Sequence, residues 1–114
     1  MMRHTVIVKN VEDTPDLRAY FEAKLAKLDR LTPTFSDELV SLQATLELHL
    51  KRGHYSTSLS IHFPHQTLHA SEQARDVKGS IRAAFAELIR QVDRYKRKLR
   101  GEHRWPMGKS AANP

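Results

Sequence analysis

From Val40 to Lys51 the chain changes character at every residue. Val40, Leu42, Ala44, Leu46, Leu48 and Leu50 are apolar, and Ser41, Gln43, Thr45, Glu47, His49 and Lys51 between them are polar. Side chains alternate across a strand but recur every three or four residues on a helix. The pattern therefore demands a long strand with one buried and one wet face, the usual condition in an antiparallel sheet. Arg52-Gly53-His54 supplies a turn, and Tyr55, Thr57, Leu59, Ile61 and Phe63 resume the alternation on a second strand. Pro64-His65-Gln66 turns again into a short strand, Thr67 to Ala70. Two adjacent hairpins are the simplest topology for three such strands.

The flanking segments read differently. Thr5-Val6-Ile7-Val8-Lys9 is a short β-branched strand, and Asn10 to Asp13 connect it to a helix start. There Thr14 is the N-cap, Pro15 the first helical residue and Asp16 an acid in the first turn. Leu17, Phe21, Leu25, Leu28 and Leu31 follow at helical spacing. This helix stops before Thr32-Pro33, because a proline pushes its predecessor out of the α region. A second helix is expected from Val77 to Arg100, with Asp76 as its cap and Gly101 as its terminator. Its stripe of Val77, Ile81, Ala84, Phe85, Leu88, Val92, Tyr95 and Leu99 covers about 100° of the helix surface. The result is an α+β fold of order β-α-β-β-β-α, a four-stranded sheet with two helices packed on one face. The organisation expected is one domain over residues 1–101 and a flexible tail over 102–114, which contains Trp105.

Charge is the next constraint. Between Arg75 and Arg104 stand ten lysines and arginines against four acids, a surplus equal to the +6 of the whole chain. An ordinary solvated face mixes signs more evenly, so this segment calls for a polyanionic partner. Arg90, Arg94 and Arg97 lie at i, i+4 and i+7 opposite the apolar stripe, and Lys78, Arg82, Lys96 and Arg100 form a second row along its flank. Rows at this spacing can follow a phosphate backbone. The helix has no spare aromatic anchor for lipid, and no apolar run approaches the ~18 residues that span a bilayer, so no membrane partner is expected.

The remaining chemistry is sparse. Without cysteine the chain has no disulfide, thiolate nucleophile or thiolate metal site, and the N-terminus lacks the apolar stretch of a signal peptide, so the cytoplasm is the expected compartment. His62, His65 and His69 are the closest-spaced of seven histidines, but Glu72 is the only nearby carboxylate; no metal or other cofactor is expected. There is no Gly-x-Ser-x-Gly elbow, Gly-rich phosphate loop or His-Glu-x-x-His, so neither catalysis nor a small-molecule substrate is expected.

Two stretches resemble a known family. One is Asn10-Val11-Glu12-Asp13-Thr14-Pro15-Asp16-Leu17-Arg18 with Ala23-Lys24-Leu25-Ala26-Lys27-Leu28-Asp29. The other is Leu68-His69-Ala70-Ser71 with Asp76, Ile81, Leu88, Arg90-Gln91, Arg94, Lys96, Lys98 and Arg100. Over residues 4 to 103 the chain is similar to the ribosome hibernation promoting factors, also called ribosome-associated inhibitors or sigma-54 modulation proteins, in their short form. The resemblance implies a protein that binds the small ribosomal subunit and its rRNA near the tRNA and mRNA sites and silences idle ribosomes, monomeric when off the ribosome. It carries the family's basic positions to Lys24, Lys27, Arg90, Arg94, Lys96, Lys98 and Arg100; Lys78, Arg82 and Arg97 complete the expected RNA-binding set. Four departures stand out: Glu87 for a common lysine, Lys78 for a tyrosine, Arg82 for an aspartate, and Gly79-Ser80 for two alanines. The turn Pro64-His65-Gln66 also lacks the family's glycines. A long form adds a C-terminal dimerisation domain, for which these 114 residues leave no room. The competing readings are a general double-stranded RNA-binding module, which would rely on loops and one helix end, and a regulator with an acidic protein partner.

Overall fold

A computed structural model of the chain describes residues 2–32 and 39–104, with side chains as far as Leu99. The elements are β1 (Arg3–Lys9), α1 (Pro15–Leu31), β2 (Ser41–His49), β3 (His54–His62), β4 (Thr67–Ala74) and α2 (Val77–Arg104). The β-α-β-β-β-α order and the four-stranded sheet agree with the sequence reading. Spatial order follows sequence order, β1-β2-β3-β4, with β1 parallel to β2 and both hairpins antiparallel. The parallel pair requires a crossover, and α1 provides it.

Local signals explain where the helices begin and end. The Thr14 hydroxyl accepts from the Leu17 amide at 3.1 Å, Pro15 opens α1, and Thr32 leaves it in extended geometry while its hydroxyl donates to the Leu28 carbonyl. Asp76 caps α2 through a bond from the Gly79 amide at 3.3 Å. Gly53 turns the β2–β3 hairpin with a φ of +69°, a conformation that costs a residue with a Cβ about 1 kcal/mol or more.

The core lies on one side of the sheet. Leu42, Ala44 and Leu46 of β2 and Leu59 and Ile61 of β3 meet Ile81, Phe85, Leu88 and Val92 of α2 and Leu25 and Leu28 of α1, all buried. Each such Leu, Ile or Phe contributes about 1.5–3 kcal/mol of transfer free energy. Phe21 and Phe85 join the helices edge to face at 5.3 Å. Near their starts, Lys78 Nζ meets Asp16 Oδ2 at 2.5 Å; farther along, Leu31 borders the same groove as Ile89, Val92 and Lys96. The two helices therefore run parallel. Phe63, just past the end of β3, stacks on Tyr95 at 4.7 Å, and Leu99, one turn on, still packs against the core. Beyond Leu99 the helix carries on to Arg104, about 7.5 Å at 1.5 Å per residue.

The structure corrects several boundaries. β4 is not a short strand ending at Ala70 but runs to Ala74, because Ser71 to Ala74 pair with Ser58 to Tyr55 of β3 despite weak strand propensity. Leu50, expected on the buried side, is 71% exposed because the chain has already entered the hairpin turn. The second helix passes Gly101 and reaches Arg104; a helical glycine costs about 1 kcal/mol relative to alanine but does not by itself end a helix. Residues 105–114 of the expected tail, Trp105 among them, lie outside the described residues. All of β1 is exposed, and its inward Val6 and Val8 border an open groove of about 210 Å³ against Leu17, Arg18 and Phe21 of α1.

Candidate nucleic-acid interface

Burying the apolar stripes of parallel helices turns their other faces outward on one side of the molecule. Arg82, Arg90, Arg94, Arg97 and Lys98 of α2 and Lys27 of α1 are exposed, and Lys24, Lys78 and Lys96 are half-buried. The two flanks of α2 take different cations. Arg94 and Lys98 lie toward β4, around a groove shared with Gln66 and Tyr95. Lys96 lies toward α1, with Leu31 and Asp93, and Arg90 reaches the same groove. Arg100 belongs to α2, but its side chain lies outside the described residues. The helix C-termini share one end of the molecule, where Arg30 sits in the last turn of α1 and cations oppose the negative dipole end favourably.

Tyr20 is a participant that the sequence reading missed. The Lys24 ammonium lies 5.4 Å from its ring centroid and the Lys78 ammonium 5.5 Å, so one aromatic ring on α1 gathers a cation from each helix. Such contacts contribute about 0.5–1 kcal/mol at exposed sites, enough to bias a long side chain. The four-residue spacing of Tyr20 and Lys24 was readable; the arrival of Lys78 from α2 was not.

Acids divide the cations into two groups. Arg90 pairs with Glu87, Arg97 with Asp93, and Lys78 with Asp16. The first two pairs are visible in the sequence as i,i+3 and i,i+4 spacings. No ion pair engages Lys27, Arg82, Arg94, Lys96 or Lys98 among the described residues, which leaves those charges available to an anion. Glu87 does more than quench Arg90. It also accepts from Gln91 Nε2 at 3.0 Å, and the same amide donates to the His69 carbonyl on the edge of β4 at 2.6 Å. The bonds from Gln91 and Arg90, then the charges of Arg90 and Arg94, hold the Glu87 carboxyl below the ordinary carboxylate range.

His62 and His69 each bond across the ladder rather than to each other. His62 Nδ1 pairs with Thr67 Oγ1 at 3.1 Å and His69 Nδ1 with Ser60 Oγ at 2.7 Å, each across the β3–β4 ladder. His62 faces Thr67 rather than His69 in the register, and no group of three potential ligands converges among the described residues. Among those residues no helix is long and apolar enough to cross a membrane.

Known proteins resemble the chain in sequence and in fold. The chain is 27% identical over 99 residues to the ribosome hibernation promoting factor of Escherichia coli K12, covering 87% of this chain and 98% of that one, and equally so to its Shigella flexneri counterpart. The N-terminal domain of Thermus thermophilus Protein Y superposes with a TM-score of 0.69 at 26% identity, over 82% of this chain and 99% of the other. A ribosomal subunit interface protein from Coxiella burnetii shares the fold with a TM-score of 0.68 at 19% identity, over 83% and 98%. The family model described as sigma 54 modulation protein / S30EA ribosomal protein matches residues 5–100, and the chain belongs to that family.

Proposed function

We propose that this chain is a cytoplasmic, non-catalytic ribosome hibernation factor. It binds the small ribosomal subunit through the outward faces of α1 and α2 and occupies the region used by tRNA and mRNA. The observation that carries the reading is the parallel helix pair, which collects unpaired cations of both helices on one side and extends α2 beyond the core contact of Leu99. A generic double-stranded RNA module would concentrate charge on loops and one helix end, and this distribution favours the two-helix alternative. Family membership and the names of the curated relatives support the ribosome as partner. Phosphate contacts would position the domain and its bulk would exclude tRNA, so the chain reads shape rather than base sequence. Off the ribosome it is a monomer.

Co-sedimentation with purified ribosomes at rising salt tests the reading. The protein pellets with the small subunit at low salt and is released as salt rises, because each neutralised phosphate contributes a counterion-release term of about −0.9 to the salt slope. The triple variant R90E/R94E/R97E releases at lower salt. A wild-type protein that stays at the top of the gradient at low salt refutes the ribosome partner; a triple variant that pellets like wild type refutes the assigned surface.

A further inference from the structure

The face of the sheet that no helix covers has an unusual composition. Outward side chains of β2, β3 and β4 are hydroxyls, amides and imidazoles with Glu47 as the single carboxylate, while β1 adds Arg3, Ile7 and Lys9 at the sheet edge. Across β3 and β4 the face carries no lysine, arginine or carboxylate. Here cross-strand bonds instead tie the side chains down: Ser58 to Ser71 at 3.1 Å, Ser60 to His69 at 2.7 Å, His62 to Thr67 at 3.1 Å. A hydroxyl has two lone pairs as well as its proton, so these groups keep capacity for a ligand. At the β2–β3 end the imidazoles of His49 and His54, directly opposite in the register, lie 4.7 Å apart at 34°, and Ser56 holds His49 at 2.8 Å. The adjoining tip, Leu50-Lys51-Arg52-Gly53, is exposed throughout, and neither Lys51 nor Arg52 has an ion-pair partner among the described residues.

From this we infer that the uncovered sheet face is a second RNA-binding surface, for a single strand, entered at the Lys51–Arg52 tip. Lys51 and Arg52 take phosphates, the His49–His54 rings present a face to a base, and the hydroxyl rows meet ribose and phosphate oxygens. Four-stranded sheets that stack bases on ring side chains bind single strands in this manner. An acidic protein partner fits less well, because protein interfaces centre on apolar and aromatic anchors and the strands of this face offer Ile7 alone, on the edge strand β1, among the described residues. The surface lies across the sheet from the helix faces, and Lys51 and Arg52 sit at the end from which both helices start, so it does not depend on the ribosome reading.

The test uses a labelled oligouridylate of about twelve nucleotides, within the footprint of a small sheet platform. Ultraviolet crosslinking of the complex, mapped by peptide mass, should place the adduct within residues 49–56, both in the wild type and in R90E/R94E/R97E. By anisotropy, K51E/R52E should weaken binding about tenfold and lower the salt slope by about one to two, and H49A/H54A should weaken it several-fold. H49F/H54F keeps the rings and should restore binding, which separates stacking from any loss of fold in the alanine variant. Crosslinks confined to α1 and α2, hairpin variants that bind like wild type, or displacement of the strand by oligoglutamate as readily as by RNA would each overturn the proposal. The last outcome would assign the tip to acidic peptides.

Discussion

The hydroxyls of Thr57 on β3 and Ser80 on α2 share a hydrogen bond of 2.8 Å where solvent reaches neither residue. Ser80 also donates to the Val77 carbonyl at 2.8 Å, so its proton is committed and Thr57 must be the donor of the pair. The two changes are therefore unequal. Ser80→Ala strands a buried Thr57 hydroxyl and should cost about 1–3 kcal/mol, whereas Thr57→Val leaves Ser80 satisfied and should cost less. In the double variant T57V/S80A no orphan remains, and its urea-unfolding free energy should lie above that of S80A. Strict additivity of the two losses would show that the bond does not matter.

Gly79 offers a second test, because helix propensity alone misjudges it. Glycine to alanine in a helix interior ordinarily gains about 1 kcal/mol. Here an added Cβ would lie 2.6 Å from Asp76 Oδ1 and 3.2 Å from the Ala74 Cβ. The Asp76 carboxylate would have to swing away and release the Gly79 amide that it caps. Gly79→Ala should therefore yield no gain in thermal midpoint in the wild-type background, and should become stabilising once Asp76→Ala has removed the cap.

Glu87 couples stability to pH. Its folded carboxyl titrates below the ordinary value, chiefly through the bond from Gln91 and then that from Arg90. A depressed folded pKa adds stability above the unfolded pKa, and that stability is lost as pH falls through the folded value. The stability difference between the wild type and Glu87→Gln should thus be full at neutral pH, begin to shrink as pH falls past the unfolded pKa of about 4.3, and be gone only below the lower folded value. Glu87→Lys, the residue that the family resemblance places there, should trade in the opposite direction. It frees Arg90 and adds a cation, so it should steepen the salt slope of ribosome binding by about one. It should also lower the unfolding midpoint, because Gln91 loses the partner that steadies its bond to the His69 carbonyl.

These residues show how far the sequence could be read. The alternation after Val40, the Thr14 and Asp76 caps and the stop at Thr32 depend on neighbours within a turn or two, and each stands in the structure as the pattern required. The strand Ser71–Ala74 did not announce itself, since its residues favour no strand and only pairing with β3 holds them. Leu50 continued a pattern that the turn had already ended. Ser80, which stands where the family resemblance places an alanine, has its reason in Thr57, twenty-three residues away. The basic face was legible as a charge count, but which cations are quenched was not: Lys78 meets Asp16 across sixty-two residues of chain.

That division of cations gives the sharpest test of the interface. Arg90 and Arg97 are each held by an acid one turn back, so an incoming phosphate must compete with Glu87 and Asp93. Arg94 and Lys98, on the β4 flank, form no ion pair among the described residues, and Arg94 meets Glu87 only through its longer-range charge. Exposed pairs of this kind are weak and screened by salt, yet they suffice to rank neighbouring side chains. Single reversals R94E and K98E should therefore weaken ribosome binding more than R90E and R97E, whereas R90E and R97E, which break an ion pair and set like charges together, should lower the unfolding midpoint slightly. Relief of the competition should act the other way, so Asp93→Asn should strengthen binding, and Asp16→Asn should do the same through Lys78. Equal losses at all four arginine and lysine positions would mean that the ion pairs do not persist at the ribosome and that the helix is read as one uniform row of charge.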